Sequence, residues 1–299
     1  MRLFRRLRRD GDRNDAGSTL RAGDAELRSL VALVAESLGY RCEPLDDESL
    51  LLSGPSRLRI GLVNLRQMAH QMPREEWPAL VADHLGTLVT AAEHPLDIRD
   101  FDCVRHLVRT RVYPARAANG RALYRELAPG LLEVLVADTP TTVRMIRRDE
   151  TTDWPATVPE LFALGYDNVR DDEPLEREDH DMEGVAVTLL HGDTFYAATH
   201  SLWLPDYVEV GEHGALVVLP TRHTLAVYPI RDDGAIMATE KLRTFAQRAY
   251  EDGPGSLSPE LYWWRSGRLT HVKSRLSERS LDLFPTPEFV AMLETLGIE

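Results

Sequence analysis

The 299-residue chain predicts an α+β fold of antiparallel hairpins and a mixed sheet with helices packed on them. Three observations carry this. Short runs of alternating apolar and polar residues end at Gly, Pro, Asn or Asp, which is how half-buried strands and their turns read. Between them lie stripes of apolar residues at helical spacing. A third feature, the stretch DDEPLEREDHDMEG at 171 to 184, holds eight acids and offers almost nothing to a core. It is expected to be a solvated loop or linker. The chain then divides into an Arg-rich flexible tail (1–22), an N-terminal α+β half (23–170), the acidic loop (171–184) and a C-terminal α+β half (185–299).

The first helix is expected from Ala25 to Leu38, where Leu27, Leu30, Val31, Val34 and Leu38 recur on one face. Asp24 is placed to cap its free N–H groups and Gly39 to stop it. Strands at 49–52 and 57–62 follow, the second alternating Leu58, Ile60 and Leu62 with Arg57, Arg59 and Gly61. A second helix begins near Pro78 and carries Leu80, Val81, Leu85, Leu88 and Val89 along one stripe to about Ala92. CVRHLVRTRVY from Cys103 and LLEVLVAD from Leu131 read as strands. TTVRMIRR pairs with the latter through a turn at 138–140. Thr157 and Glu160 have the spacing of a capping box and open a short helix that Gly165 is expected to close.

Past the acidic stretch, GVAVTLL is a strand, and His191-Gly192-Asp193 makes a turn in which the Asp side chain is expected to bond backbone N–H groups. ALVVLPTRHTLAVYPI from Ala215 is a strand, a break at Pro220 to His223 and a second strand. A helix covers Ile236 to Tyr250 and stops at Gly253-Pro254-Gly255. LYWWRSGRLTHV is a hairpin turning at Ser266-Gly267. Thr286-Pro287-Glu288 opens the last helix, which ends before Gly297.

GDTFYAAT at 192 to 199 and ALVVLPTRHTLAVYPI together resemble the bacterial YtpQ-like family, a domain of unknown function. The likeness extends through RIGLVNL, the helix after Pro78 and RTRVYP, covering residues 55 to 272. The Arg-rich tail, the acidic loop and the final helix depart from it. The resemblance implies a cytoplasmic bacterial α+β protein and transfers no active site.

Composition narrows function by exclusion. The net charge is −13, and residues 1–22 carry +4 of their own, which leaves −17 on the rest. Such a body repels phosphate backbones, so nucleic-acid binding is not expected. No apolar run approaches the roughly 20 residues of a membrane span. The first residues lack the apolar core of an export signal. A cytoplasmic location follows by default. Cys42 and Cys103 form no metal or redox spacing, and no phosphate loop, dinucleotide fingerprint, nucleophile elbow or HExxH occurs. No cofactor is expected. A calcium loop starting at Asp179 fails because its twelfth position is Leu190.

Candidate chemistry therefore rests on histidines. His191, Asp193 and His223 are the catalytic candidates for a hydrolase, and His191, His200 and His213 the metal candidates, provided the fold gathers them. Trp263 and Trp264 adjoin on one strand, so they face opposite ways and one is a candidate partner anchor. Three functions compete. The leading expectation is a non-catalytic protein-interaction module, immunity-type in one version, meeting a basic partner through its acidic surface. The second is the hydrolase. The third is membrane association through residues 1–9, where Leu3, Phe4 and Leu7 lie among arginines.

Overall fold

The computed structural model describes residues 13–93, 96–117, 120–139, 142–172, 174–277 and 281–298, with side chains from residue 23. The expectations for residues 1–12, including membrane attachment through 1–9, fall outside them. Two compact units divide between Pro95 and Leu96. Helices and antiparallel sheets build both, the expected α+β class. The boundary is not the acidic stretch at 171–184, whose residues Glu176–Asp181 form a strand of the second unit.

In the first unit α1 (Arg13–Ser37) precedes strands β1 (Arg41–Pro44), β2 (Ser49–Ser53) and β3 (Arg57–Gly61), then α2 (Val63–His70) and α3 (Trp77–Glu93). The three strands form one antiparallel sheet with β2 in the middle. Its apolar face meets α1 and α3 in a core of Leu27, Val31, Leu52, Ile60, Leu65, Val81 and Leu85. Leu27, Val31, Ile60, Val81 and Leu85 are stripe or alternation positions of the sequence, whereas Leu65 comes from α2. The helix starts well before Ala25, so Asp24 is not a cap. It lies inside α1 with Oδ1 3.5 Å from the His70 ring and 3.9 Å from Arg66.

The second unit opens with the short α4 (Phe101–Val104), then β4 (Val108–Pro114), β5 (Tyr124–Ala128), β6 (Leu131–Asp138) and β7 (Val143–Met145). β6 pairs with β4 on one side and with β5 and β7 on the other. The helix α5 (Val158–Arg170) packs on β4. Its capping box is as expected, with Glu160 accepting from the Thr157 N–H at 2.7 Å. Gly165 does not end it. A Cβ there would lie 2.4 Å from the Thr110 hydroxyl and 2.9 Å from its amide nitrogen, so the glycine lets helix and strand touch.

Seven further strands make the large sheet, β8 (Glu176–Asp181), β9 (Ala186–His191), β10 (Ala215–Thr221), β11 (Thr224–Pro229), β12 (Leu261–Arg265), β13 (Arg268–Leu276) and β14 (Leu281–Phe284). Their order is β14-β13-β12-β10-β11-β9-β8, antiparallel throughout, with β8 and β14 at the edges. β10 lies at the centre and is buried at every residue. Its run ALVVL is apolar on both sides because both faces are covered. One face receives α6 (Ala235–Asp252) and α7 (Pro287–Thr295), packing Leu216, Val218, Trp263 and Leu261 with Leu242, Phe289 and Met292. The other receives a 3-10 segment, Ala197–Asp206, and residues of the smaller sheet, around Leu190, Val217, Leu225, Tyr262 and Trp264. Thr286 caps α7 through the Phe289 N–H, as its sequence predicts.

Candidate functional site

The ladder places His191 at the end of β9, opposite Thr224 of β11 on one side and Glu176 of β8 on the other. Its ring turns toward the acidic edge, with Nδ1 3.8 Å from Glu176 Oε2 and Nε2 3.6 Å from Glu178 Oε2. His223, in the β10–β11 turn, immediately precedes Thr224, and its ring makes contacts other than those of His191. Its Nδ1 lies 2.8 Å from the Thr194 carbonyl, its Nε2 accepts from Arg222 Nε at 3.0 Å, and the ring lies edge-on to Phe195 at 5.2 Å. Burial, with Arg222 next in weight, pushes its pKa down to about 4, which leaves the ring neutral near pH 7.

Asp193 is exposed, and its expected bond to turn N–H groups is not formed. Thr194 closes the turn instead, Oγ1 accepting from the Tyr196 N–H at 3.2 Å. His200 is buried in the 3-10 segment, 2.7 Å from the Tyr207 hydroxyl and against the rings of Trp203 and Tyr207. Burial pushes its pKa down to about 4. His213 precedes β10, 3.4 Å from Glu212, and its carbonyl accepts from Trp263 Nε1 at 2.8 Å. Each candidate histidine thus serves its own local contacts. Among the described residues no group of three His, Cys, Asp or Glu is placed to hold a metal ion. Of the catalytic candidates, Asp193 acts on His223 only through its charge, while His191 faces Glu176 and Glu178.

Both tryptophans are buried, Trp263 under α7 with its ring 5.3 Å from Phe289, and Trp264 on the opposite face of the sheet. Neither is an exposed anchor, because each face of β12 has its own covering layer.

Around His223 lie residues that sequence reasoning passed over. Arg111 of β4 is 6% exposed, with its guanidinium 4.9 Å from the Tyr113 ring, 5.3 Å from Phe195 and 5.9 Å from Tyr196. Its Nε has no hydrogen-bond partner among the described residues. Arg222 places a second guanidinium 4.4 Å from the same Phe195 ring. Its pKa is pushed down to about 10, first by burial and then by Arg111. The Tyr196 hydroxyl is buried too, and burial, then the Asp138 charge, hold the phenol far above its ordinary pKa. A sequence signal existed, since Arg111 interrupts a strand whose next residues, Val112 and Pro114, are buried.

A separate open cleft of about 430 Å³ is lined by Arg125, Glu126, Glu133, Tyr166, Arg268 and Leu269. Glu133 is buried at its floor, but Arg125 and the Tyr166 hydroxyl both donate to it. Its charge is already answered.

The acidic stretch forms the remaining distinctive surface. Among the described residues β8 pairs with β9 alone and forms one edge of the sheet, exposing Glu176, Glu178, Asp179 and Asp181. Arg177 and Thr188 hold Asp179, and hydrogen bonds from both depress its pKa. No helix of the described residues is long and apolar enough to cross a membrane. Compared with family models, curated proteins and solved structures, the chain matches none of them, so its likeness to the YtpQ-like family stands on the quoted segments alone.

Proposed function

We propose that the chain is a non-catalytic protein-interaction module that takes a basic, extended segment of another protein along β8. The observation that carries the reading is the edge itself, six residues of open strand bearing four carboxylates. An open edge offers backbone N–H and C=O groups for strand addition. Its charge repels neutral aggregation and acidic chains, which is how edges are ordinarily protected. A lysine- or arginine-bearing strand meets attraction where others meet repulsion, so one feature serves protection and selection together. The separate contacts of His191, His200 and His223 favour this reading over the hydrolase. An immunity-type inhibitor of a basic toxin is one form the module can take, and membership of the YtpQ-like family is compatible with it.

The test uses two fluorescent ten-residue peptides, Val alternating with Lys in one and with Glu in the other. The lysine peptide is expected to bind, with affinity falling as salt rises. Glu176→Lys with Glu178→Lys should weaken it by about tenfold or more, the equivalent of roughly 1.4 kcal/mol. Equal binding of the glutamate peptide, or no loss on charge reversal, would remove the proposal.

A further inference from the structure

Other arginines of low exposure in this unit meet carboxylates, as Arg109 meets Asp172 and Arg243 meets Glu260. Among the described residues Arg111 and Arg222 do not, although the chain has 48 acidic residues against 35 basic. Asp138 acts on Tyr196 and Asp193 on His223, and neither forms an ion pair with either arginine. Holding one buried and one half-buried guanidinium near the same ring, with no ion-paired carboxylate among the described residues, is costly. Aromatic faces repay part of this, since Phe195, Tyr113 and Tyr196 surround the Arg111 guanidinium. Rings supply no hydrogen-bond acceptor, and among the described residues the buried Arg111 Nε has no partner.

The geometry points to a binding site for a phosphate-type dianion, held between the Arg111 and Arg222 guanidiniums beside the Phe195 ring. Charge counting selects the class: a dianion neutralises both cations, whereas one carboxylate leaves a buried charge over. Guanidinium forks match the paired oxygens of such an anion. The site is also held in shape. His223 takes the Arg222 Nε–H and ties the turn to the Thr194 carbonyl, so loop and turn move together. Gly255 leaves just enough room for Arg222, since a Cβ there would lie 2.6 Å from its Nε. Phe195, 42% exposed, gives the site an opening to solvent and a flat apolar wall beside it. The acidic body argues against loose anion attraction, which makes this local exception specific.

Calorimetric titration and melting at pH 8 test it, with inorganic phosphate, methyl phosphate, sulfate, acetate and chloride at equal ionic strength. Phosphate and sulfate are expected to bind and raise the melting temperature, acetate and chloride not. Methyl phosphate binding above acetate would show that an ester is admitted and supports the site equally. Arg222→Gln and Arg111→Gln should each weaken phosphate binding about tenfold or more, while Arg275→Gln on β13 leaves it unchanged. Because Arg111 is buried, Arg111→Met, which keeps an apolar stem, serves as the second variant. It should melt no lower than the parent and lose the phosphate response. Phosphate binding no tighter than acetate, or binding untouched by all three substitutions, would overturn the site and leave the two arginines as packing groups.

Discussion

His200 is a neutral imidazole enclosed by Trp203 and Tyr207, and its chemistry makes stability depend on pH. Unfolded, it takes a proton around its ordinary value of 6.5, while the folded ring resists to about 4. The unfolded state therefore binds more protons between those values. The stabilising contribution is complete above pH 6.5 and is lost as pH falls toward 4. By pH 5 it amounts to a loss on the order of 2 kcal/mol. His223 acts in the same direction. Urea unfolding at pH 7 and pH 5 should show a smaller difference for His200→Gln than for the parent, and an identical slope would refute the assignment. This burial was not legible from sequence, where His200 counted only as one of several clustered histidines. Its ring is enclosed by Trp203 of the same 3-10 segment and by Tyr207 at that segment's end, three and seven residues later. Arg111 was hidden for a related reason, because the rings that shield it come from a loop more than eighty residues downstream.

Elements built on local signals were readable: α3, α6, α7, the β10–β11 and β12–β13 hairpins and the capping box of α5 all follow from period, caps and turns. The misreadings came where packing overrides local preference. Gly165 looks like a helix stop, yet α5 continues because the glycine buys contact with β4. The acidic stretch looks like a loop, yet an edge strand needs only one partner and can leave its side chains in water, so low apolarity did not prevent pairing. Gly214 is the sharpest demand of this kind, with φ of +78° and a substituent Cβ only 2.2 Å from the Trp264 carbonyl oxygen. Gly214→Ala is expected to cost at least about 2 kcal/mol, from strain and from displacement of β12. An unchanged denaturation midpoint would show that the approach is looser than this.

At the scale of the molecule, the division at Pro95 and Leu96 gives each unit a core of its own. No composition break marks that point, and the acidic run drew attention to a place where the chain only crosses to a sheet edge. A truncation beginning at Leu96 should therefore melt cooperatively and retain near-ultraviolet dichroism from Trp154, Trp203, Trp263 and Trp264. A non-cooperative transition would mean that the second unit needs the first. Within that unit the large sheet separates two apolar layers, and β12 sends one indole into each. Trp263 has its N–H answered by the His213 carbonyl, while the buried N–H of Trp264 has no partner among the described residues. The strand thus carries a pair of native optical reporters, one tuned to a hydrogen-bonded and the other to a dry environment, so a loosening of the helix side and a loosening of the inner side of this protein have different spectral colours.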